Sequence, residues 1–456
     1  LTADQARTDT GDDTTARLRF PSGPLVLVAF VVGAAIALYV QVTFIRLDVP
    51  IFGLFKNQVD LDVYRAGAQH LLHGQQLYDF PMLRNGLLYT YTPFSTIVFQ
   101  PFGWMSEELA ADVWSGLIFA TLYWVILASF KSLGYEMSWT LAIVSASIVC
   151  MSTLMEPVRT TLWYGQINVF LMAIVLWDLL RPDGSRLKGI GVGIAAGIKL
   201  TPAFFVVYLA LTRRWRAVVV VIATFVVTML LGFLATPRQS WNYWTDRVVN
   251  SDRVGPTDAP SNQSIKGALA TVFHTATPST ALWVLCSAVA VVLGMAAAYL
   301  AHRAGQELLA LCLTGMTTAA VSPFTWGHHW VWFVPLLVFA VHLPIAAWRD
   351  GRKGLAGVMA LAPPALFVAV FVWRNHLPGG ALGFKPFYGT GMFMTPFPDW
   401  LRWFSAEPYL WTFGVTAVLC IAVWGPRELR TRTSTAGHDQ VAHALHRSDN
   451  TGLRPQ

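Results

Sequence analysis

Charge is what this chain has least of. Of its 456 residues only 12% are Asp, Glu, Lys or Arg, and 55% are hydrophobic, whereas a soluble domain carries roughly 25% charged residues. An ordinary water-soluble globule is excluded. Cysteine is scarce too. The four present, Cys150, Cys286, Cys312 and Cys420, lie in separate apolar runs without paired spacing. That excludes a disulfide framework or a cysteine metal cluster and leaves them as small buried hydrophobes. Short alternating strands are missing, so a transmembrane β-barrel is excluded. No Gly-rich phosphate loop, DxD-type nucleotide–metal motif or nucleophile elbow stands out, which argues against a soluble nucleotide donor.

What the chain has instead is repeated apolar stretches of about 17–25 residues, long enough to cross a hydrocarbon core of about 30 Å. The fold class expected is an all-α polytopic membrane protein. The net charge of +7 sits in short loops between these runs: Arg181 to Lys188, Arg213-Arg214-Trp215-Arg216, His302-Arg303, Trp348 to Lys353 and Arg427 to Arg432. This is the positive-inside pattern, a topology signal and not a nucleic-acid surface.

With those loops held in the cytoplasm, about ten full spans fall near residues 23–46, 110–130, 138–155, 165–180, 217–235, 279–301, 306–322, 330–347, 355–373 and 409–426, with both termini cytoplasmic. The first run is too long for a signal peptide and is read as a retained helix. Residues 1–20 and 427–456 are polar and expected to be disordered tails flanking one membrane domain, 21–426. Run 189–211 has basic residues at both ends and a break at Lys199-Leu200-Thr201-Pro202, which predicts a re-entrant or broken helix pair. Run 91–104, with Pro93 and Pro101, is expected to insert only in part. The outer loops are then 47–108, 156–164, 236–278, 323–329 and 375–408, and the polar clusters converge on them. That convergence places a candidate site on the extracytoplasmic face.

Five clusters stand out. Asp60 and Asp62, two apart, point to different faces of a helix; one is a candidate general base, and both also fit an acid pair at a helix N-terminus. Tyr64 lies one turn beyond Asp60. Glu156 to Thr161, followed by Trp163-Tyr164-Gly165-Gln166-Ile167-Asn168, supplies amides and aromatics of the kind sugar recognition requires; interfacial anchoring is the alternative. Lys199 is a cation in apolar surroundings, matched by an anionic headgroup or by a structural acid partner. Asn262-Gln263-Ser264 opens a helix that Asn262 is expected to cap, and it also matches a glycosylation sequon. In Ser322 to Trp330, His328 and His329 are adjacent and diverge, so with no third ligand zinc is not expected. One of them is placed to hydrogen-bond a phosphate leaving group.

Several motifs follow one another along the chain: Val59-Asp60-Leu61-Asp62-Val63-Tyr64, Tyr89-Thr90-Tyr91-Thr92-Pro93-Phe94, Glu156-Pro157-Val158-Arg159, Tyr164-Gly165-Gln166-Ile167-Asn168, Ile198-Lys199-Leu200-Thr201-Pro202, Arg253-Val254-Gly255-Pro256, Asn262-Gln263-Ser264, and Ser322-Pro323 through His328-His329-Trp330-Val331-Trp332. In that order, over about residues 55–345, the chain resembles the polyprenyl-phosphate-mannose-dependent α-mannosyltransferases of glycosyltransferase family 87. The resemblance is strongest to members that extend phosphatidylinositol mannosides with an α-(1→2)-linked mannose. It implies a GT-C type fold, a β-linked mannose donor on a polyprenyl phosphate, a lipid-linked mannoside acceptor and inversion in one displacement.

It also implies an integral plasma-membrane location with a periplasmic active site and no metal or other cofactor. Asp60 matches the family's catalytic aspartate. Lys199, Arg159, His328 and His329 become candidates for the donor phosphate. Asp62, Tyr64, Tyr164, Gln166, Asn168, Asn262, Gln263 and Trp326 become candidates for sugar contacts. Thr92 stands where relatives commonly have proline, and Asp62 where a close relative carries histidine; both departures bear on acceptor choice. Other members build lipomannan and lipoarabinomannan or transfer arabinofuranose. A lipid transporter would instead show internal repeats, and none are visible; a structural scaffold has no need of Asp60, Lys199 and His328 on one face.

Overall fold

The computed structural model describes residues 18–45, 47, 53–79, 81–83, 86–249, 255–376, 387–426 and 428. The tails expected at 1–20 and 427–456 lie almost wholly outside these residues, as do Arg253 and Val254 of the motif Arg253-Val254-Gly255-Pro256. Helices dominate, with one short antiparallel hairpin, Trp373–His376 paired with Phe387–Thr390, that the all-helical expectation did not include.

Among the described residues five helices are long and apolar enough to cross a membrane: Pro24–Thr43, Glu107–Ser132, Trp215–Ala235, Thr280–Arg303 and Pro408–Pro426. All five fall on expected spans. The bent pair Glu156–Tyr164 and Asn168–Leu179 makes a sixth if counted as one, with 116° between its arms. Trp139–Ser152, Thr201–Leu211, Glu307–Val321, Phe333–Arg349 and Lys353–Ala369 are apolar but shorter.

The run expected to break at Lys199 does so. A helix over Ile190–Ile198 ends there, a 3₁₀ turn covers Thr201–Phe204, and a second helix spans Phe205–Leu211. Pro202 cannot donate to the preceding turn, which fixes the break. The first arm packs parallel to Trp215–Ala235 through a stripe of glycines four apart. A methyl group on Gly189, Gly193 or Gly197 would lie 2.5 Å from the Ala217 carbonyl oxygen, 2.6 Å from Thr224 Cβ or 2.3 Å from Thr228 Oγ1. Small residues at that spacing let backbones approach where water supplies no hydrophobic drive.

Pro93–Val98, within the run expected to insert only partly, forms a separate short helix. It packs against the other end of Trp215–Ala235, where Gly232 meets Pro93 and Phe94. The Thr92 hydroxyl donates to the Gly197 carbonyl, one of the acceptors left open at a helix end. A proline in Thr92's place has no hydroxyl to make that bond.

Candidate active site

Two features build the wall around Asp60. Gly165 ends the helix Glu156–Tyr164 in the left-handed conformation, φ 68°, and turns the chain into Asn168–Leu179. A side chain there would lie 2.6 Å from Gln58 Oε1 and 2.8 Å from Leu61 Cβ, so glycine is needed for the approach as well as for the turn. Gln58, just before the helix Val59–Leu72, donates its backbone N–H to the Trp163 carbonyl (2.8 Å) and its side-chain amide to the Leu162 carbonyl (2.6 Å). These are open carbonyls at a helix end. Asp60 is thereby pinned to the segment that carries Gln166.

Behind it, Tyr64 is fully buried, stacks on Phe99 with ring centres 4.4 Å apart, and meets Tyr91 edge-on at 4.9 Å. Aromatic pairs of this kind contribute about 0.5–1.5 kcal/mol each beyond area. Asp60 therefore stands on a stiff support.

A directional hydrogen-bond chain crosses the site. Gln166 Nε2 donates to Asp60 Oδ2 at 2.5 Å. Gln166 Oε1 accepts from Tyr64 (3.1 Å) and from Asn168 Nδ2 (3.3 Å). Asn168 Oδ1 accepts from Lys199 Nζ at 3.1 Å. A carboxylate can only accept and an ammonium only donate, so the orientation of both amides follows from the two ends.

Beyond Lys199, its Nζ lies 3.0 Å from His329 Nε2, and His329 Nδ1 accepts the Trp326 backbone N–H at 3.2 Å. Burial, reinforced by the Lys199 charge, pushes His329 well below its usual range, so the ring is neutral. With Nδ1 accepting, its single proton sits on Nε2. Two donors thus face each other, and an anionic oxygen beside them would satisfy both. Burial raises the Asp60 carboxyl to about 6, against the opposing pull of Gln166 and Lys199.

These groups open on a cavity of about 670 Å³ whose wall includes Asp60, Tyr91, Glu156, Trp163, Tyr164, Gln166, Lys199, Trp326, His328 and His329. Asn168 lines a small adjoining space of about 50 Å³. The adjacent histidine rings do diverge, by 83° at 4.8 Å, and no group of three or more His, Cys, Asp or Glu among the described residues is arranged to hold a metal ion.

Other candidates lie elsewhere. Asp62 turns away from the cavity to Arg65 at 3.4 Å. Tyr64 sits behind the wall. The Arg159 guanidinium donates to Gln41 Oε1 at 2.8 Å, near the end of the first helix, and is not part of the cavity wall. Asn262 ties two loops together, giving its amide to Thr257 and Pro323 and accepting the Thr325 N–H at 3.0 Å. Gln263 donates to the Pro260 and Ala406 carbonyls. Ser264, and not Asn262, caps the helix Ile265–Val272, accepting from Gly267 N at 3.1 Å; Asn262 stands too early in the chain to reach the first turn. Gln58, Tyr91 and Glu156 line or support the wall without a role assigned from sequence. Tyr91 and Glu156 sit inside motifs already noted, so the signal was present, whereas Gln58 carries none.

The sequence profile of glycosyltransferase family 87 matches residues 89–323. The chain is similar to a Mycobacterium tuberculosis polyprenol-phosphate-mannose-dependent alpha-(1-2)-phosphatidylinositol mannoside mannosyltransferase. They are 32% identical over 67% of this chain and 74% of the relative. The Mycolicibacterium smegmatis protein of the same description is 34% identical over 72% and 78%. A second from that organism, described as acting on phosphatidylinositol pentamannoside, is 32% identical over 71% and 80%. No solved structure matches. The profile starts after Asp60 and stops before His328, so the aspartate and the histidines stand on their geometry. The extent of these matches makes the chain a member of glycosyltransferase family 87.

Proposed function

We propose that the protein transfers mannose from a polyprenyl-phosphate mannose to a phosphatidylinositol mannoside, forming an α-(1→2) linkage with inversion at the extracytoplasmic face of the membrane. The observation that carries this is the hydrogen-bond chain in the cavity wall, with a carboxylate at one end and a pair of facing donors at the other. Asp60 is raised towards the working range of a general base and partly open to the cavity. It takes the proton of the acceptor's 2-hydroxyl as that oxygen attacks the anomeric carbon. The bond from that carbon to the phosphate oxygen breaks, and its electron pair leaves with the polyprenyl phosphate. Lys199 and the Nε2–H of His329 meet the charge that develops there. The two amides hold base and cation apart, so neither neutralises the other.

The names of the similar proteins support donor and linkage. They do not separate a phosphatidylinositol mannoside acceptor from the pentamannoside, because identities of 32–34% and 32% are matched by both descriptions. The basic loops support about ten spans plus the re-entrant pair with both termini cytoplasmic, a threading in which the cavity opens on the periplasmic side. The reaction is proposed to need no metal, since side chains in the wall already carry the leaving group's charge. The test is transfer of radiolabelled mannose from the polyprenyl donor by purified protein to a panel of mannosylated phosphatidylinositols, with the linkage read by α-(1→2)-specific mannosidase. An α-(1→2) product insensitive to EDTA is expected. No transfer to any acceptor would overturn the reaction assigned, and loss restored by Mg²⁺ would overturn the metal-free step.

A further inference from the structure

The cavity wall contains a second carboxylate that the proposed chemistry does not use. Glu156 is buried, 3% exposed, and accepts a hydrogen bond at Oε2 from Tyr409 of the last helix, Pro408–Pro426. Its carboxylate lies so close to Gly327 that a methyl group there would fall 2.0 Å from Oε2 and 2.2 Å from Oε1. The next residue is His328, 4% exposed, whose two ring nitrogens have no hydrogen-bond partner. Leaving buried polar atoms unpaired costs about 1–3 kcal/mol each, a cost that a ligand can remove. Tyr164 meets the His328 ring edge-on at 5.8 Å and stacks with Trp163 at 4.5 Å. Glu156, His328, Tyr164 and Trp163 all face the cavity.

Resting on the proposed reaction, we infer that Glu156 and His328 form the subsite for the terminal sugar of the acceptor, with Tyr409 as a positioning residue. The chemistry fits a pyranose presenting several hydroxyls. A carboxyl group accepts from hydroxyls. A neutral imidazole has one donor and one acceptor, matching an alcohol that both gives and takes. The stacked aromatic pair suits the C–H face of a sugar ring. This moves His328 from the phosphate side to the sugar side and leaves Lys199 and His329 with the donor. Gly327, His328 and Tyr409 lie beyond residue 323, where the family match ends.

Steady-state kinetics of the full-length protein in nanodiscs test this, with donor and acceptor varied separately. Glu156→Gln is expected to raise the acceptor KM about tenfold and Tyr409→Phe about threefold, with kcat and the donor KM within about twofold of wild type. A raised donor KM with an unchanged acceptor KM would overturn the assignment, as would a loss of kcat alone, which would put Glu156 in the chemical step. Binding of a soluble, deacylated mannosyl-inositol headgroup, measured by titration calorimetry without donor, separates this inference from the reaction it rests on. Wild-type protein that binds the headgroup, weakened by Glu156→Gln, but transfers no mannose would sink the reaction and leave the subsite. Transfer by wild type with equal headgroup binding in the variant would sink the subsite alone.

Discussion

Buried charges occur at both ends of this molecule, and the two ends treat them in opposite ways. At the end away from the cavity, Arg214 lies 2.6 Å from Glu307 and 3.0 Å from Asp183, Lys188 lies 2.6 Å from Asp183, and His302 lies 2.8 Å from Glu307. Each of these three cations meets a carboxylate directly. At the cavity end the carboxylate and the ammonium are kept apart by two neutral amides, and the ammonium faces an imidazole. The helix Glu307–Val321 joins the two ends, a distance of about 22 Å at 1.5 Å per residue. Cancelled charge is the mark of structure. Charge held uncancelled has a cost that stability alone does not explain, and it points to a ligand or a reaction.

If that contrast is right, disturbing the cavity end removes activity without unfolding the protein. The largest effect is expected from Asp60→Asn, which keeps shape and removes the base. Mannose transfer should fall by about 10²–10⁴-fold, with the melting temperature and binding of the polyprenyl phosphate close to wild type. Turnover within tenfold of wild type would remove Asp60 from the mechanism. Lys199→Met comes next. Losing a charge-assisted contact to the phosphate is worth about 1.5–3 kcal/mol, which should raise the donor KM by about 10–100-fold and leave the acceptor KM unchanged. An unaltered donor KM would make Lys199 a structural cation like those at the other end.

The opposite end supplies the control. Arg214→Met leaves Glu307 and Asp183 without their shared cation in a partly buried site. Losing charge-assisted hydrogen bonds in such a site costs about 1.5–3 kcal/mol, read as a lower midpoint in thermal unfolding, while the protein that remains folded should keep its donor and acceptor KM. A selective rise in either KM with no change in stability would break the distinction drawn between the ends.

How far the sequence carries this contrast depends on spacing. The break at Lys199 was legible because proline and flanking basic loops leave few alternatives, and the divergence of Asp60 from Asp62 because helical geometry separates residues two apart. What could not be read was long-range. Arg159 sits in the same motif as Glu156, yet only the folded chain shows that its guanidinium turns to Gln41 while Glu156 faces the cavity. Asn262 and Gln263 had the residue types of sugar ligands, but their amides go to backbone carbonyls of neighbouring loops, an outcome no local pattern encodes. Span count is a related case: hydropathy marks about ten apolar runs, and among the described residues five are single helices long enough to cross a membrane while others, such as Trp139–Ser152, form shorter apolar helices.

The pH profile sharpens the assignment of the base. A base works ionised, so kcat/KM should fall as pH drops through about 6, by one decade per unit. Gln166→Leu should move that limb upwards, because the hydrogen bond from Gln166 is one of the influences holding the Asp60 carboxyl down. A limb unmoved by Gln166→Leu would mean that it reports another group.

The smallest expected effect is the most discriminating. Asp62 is two residues from Asp60 and carries the same functional group. Its carboxyl is itself raised, by burial and by Glu107, against the pull of Arg65, so titration alone does not separate it from Asp60. Geometry does. Its oxygen is 3.4 Å from Arg65, which also donates to the Phe102 carbonyl at 3.1 Å and the Met105 carbonyl at 2.9 Å. Asp62→Asn therefore leaves Arg65 with two backbone acceptors, keeps a side chain that can still accept, and touches nothing in the cavity. Partly exposed ion pairs contribute at most about 1 kcal/mol, so transfer should stay within about twofold and the melting temperature within a few degrees. A loss comparable to that of Asp60→Asn would mean that the helix Val59–Leu72 presents its other face to the substrate, and the roles of the two aspartates would be exchanged.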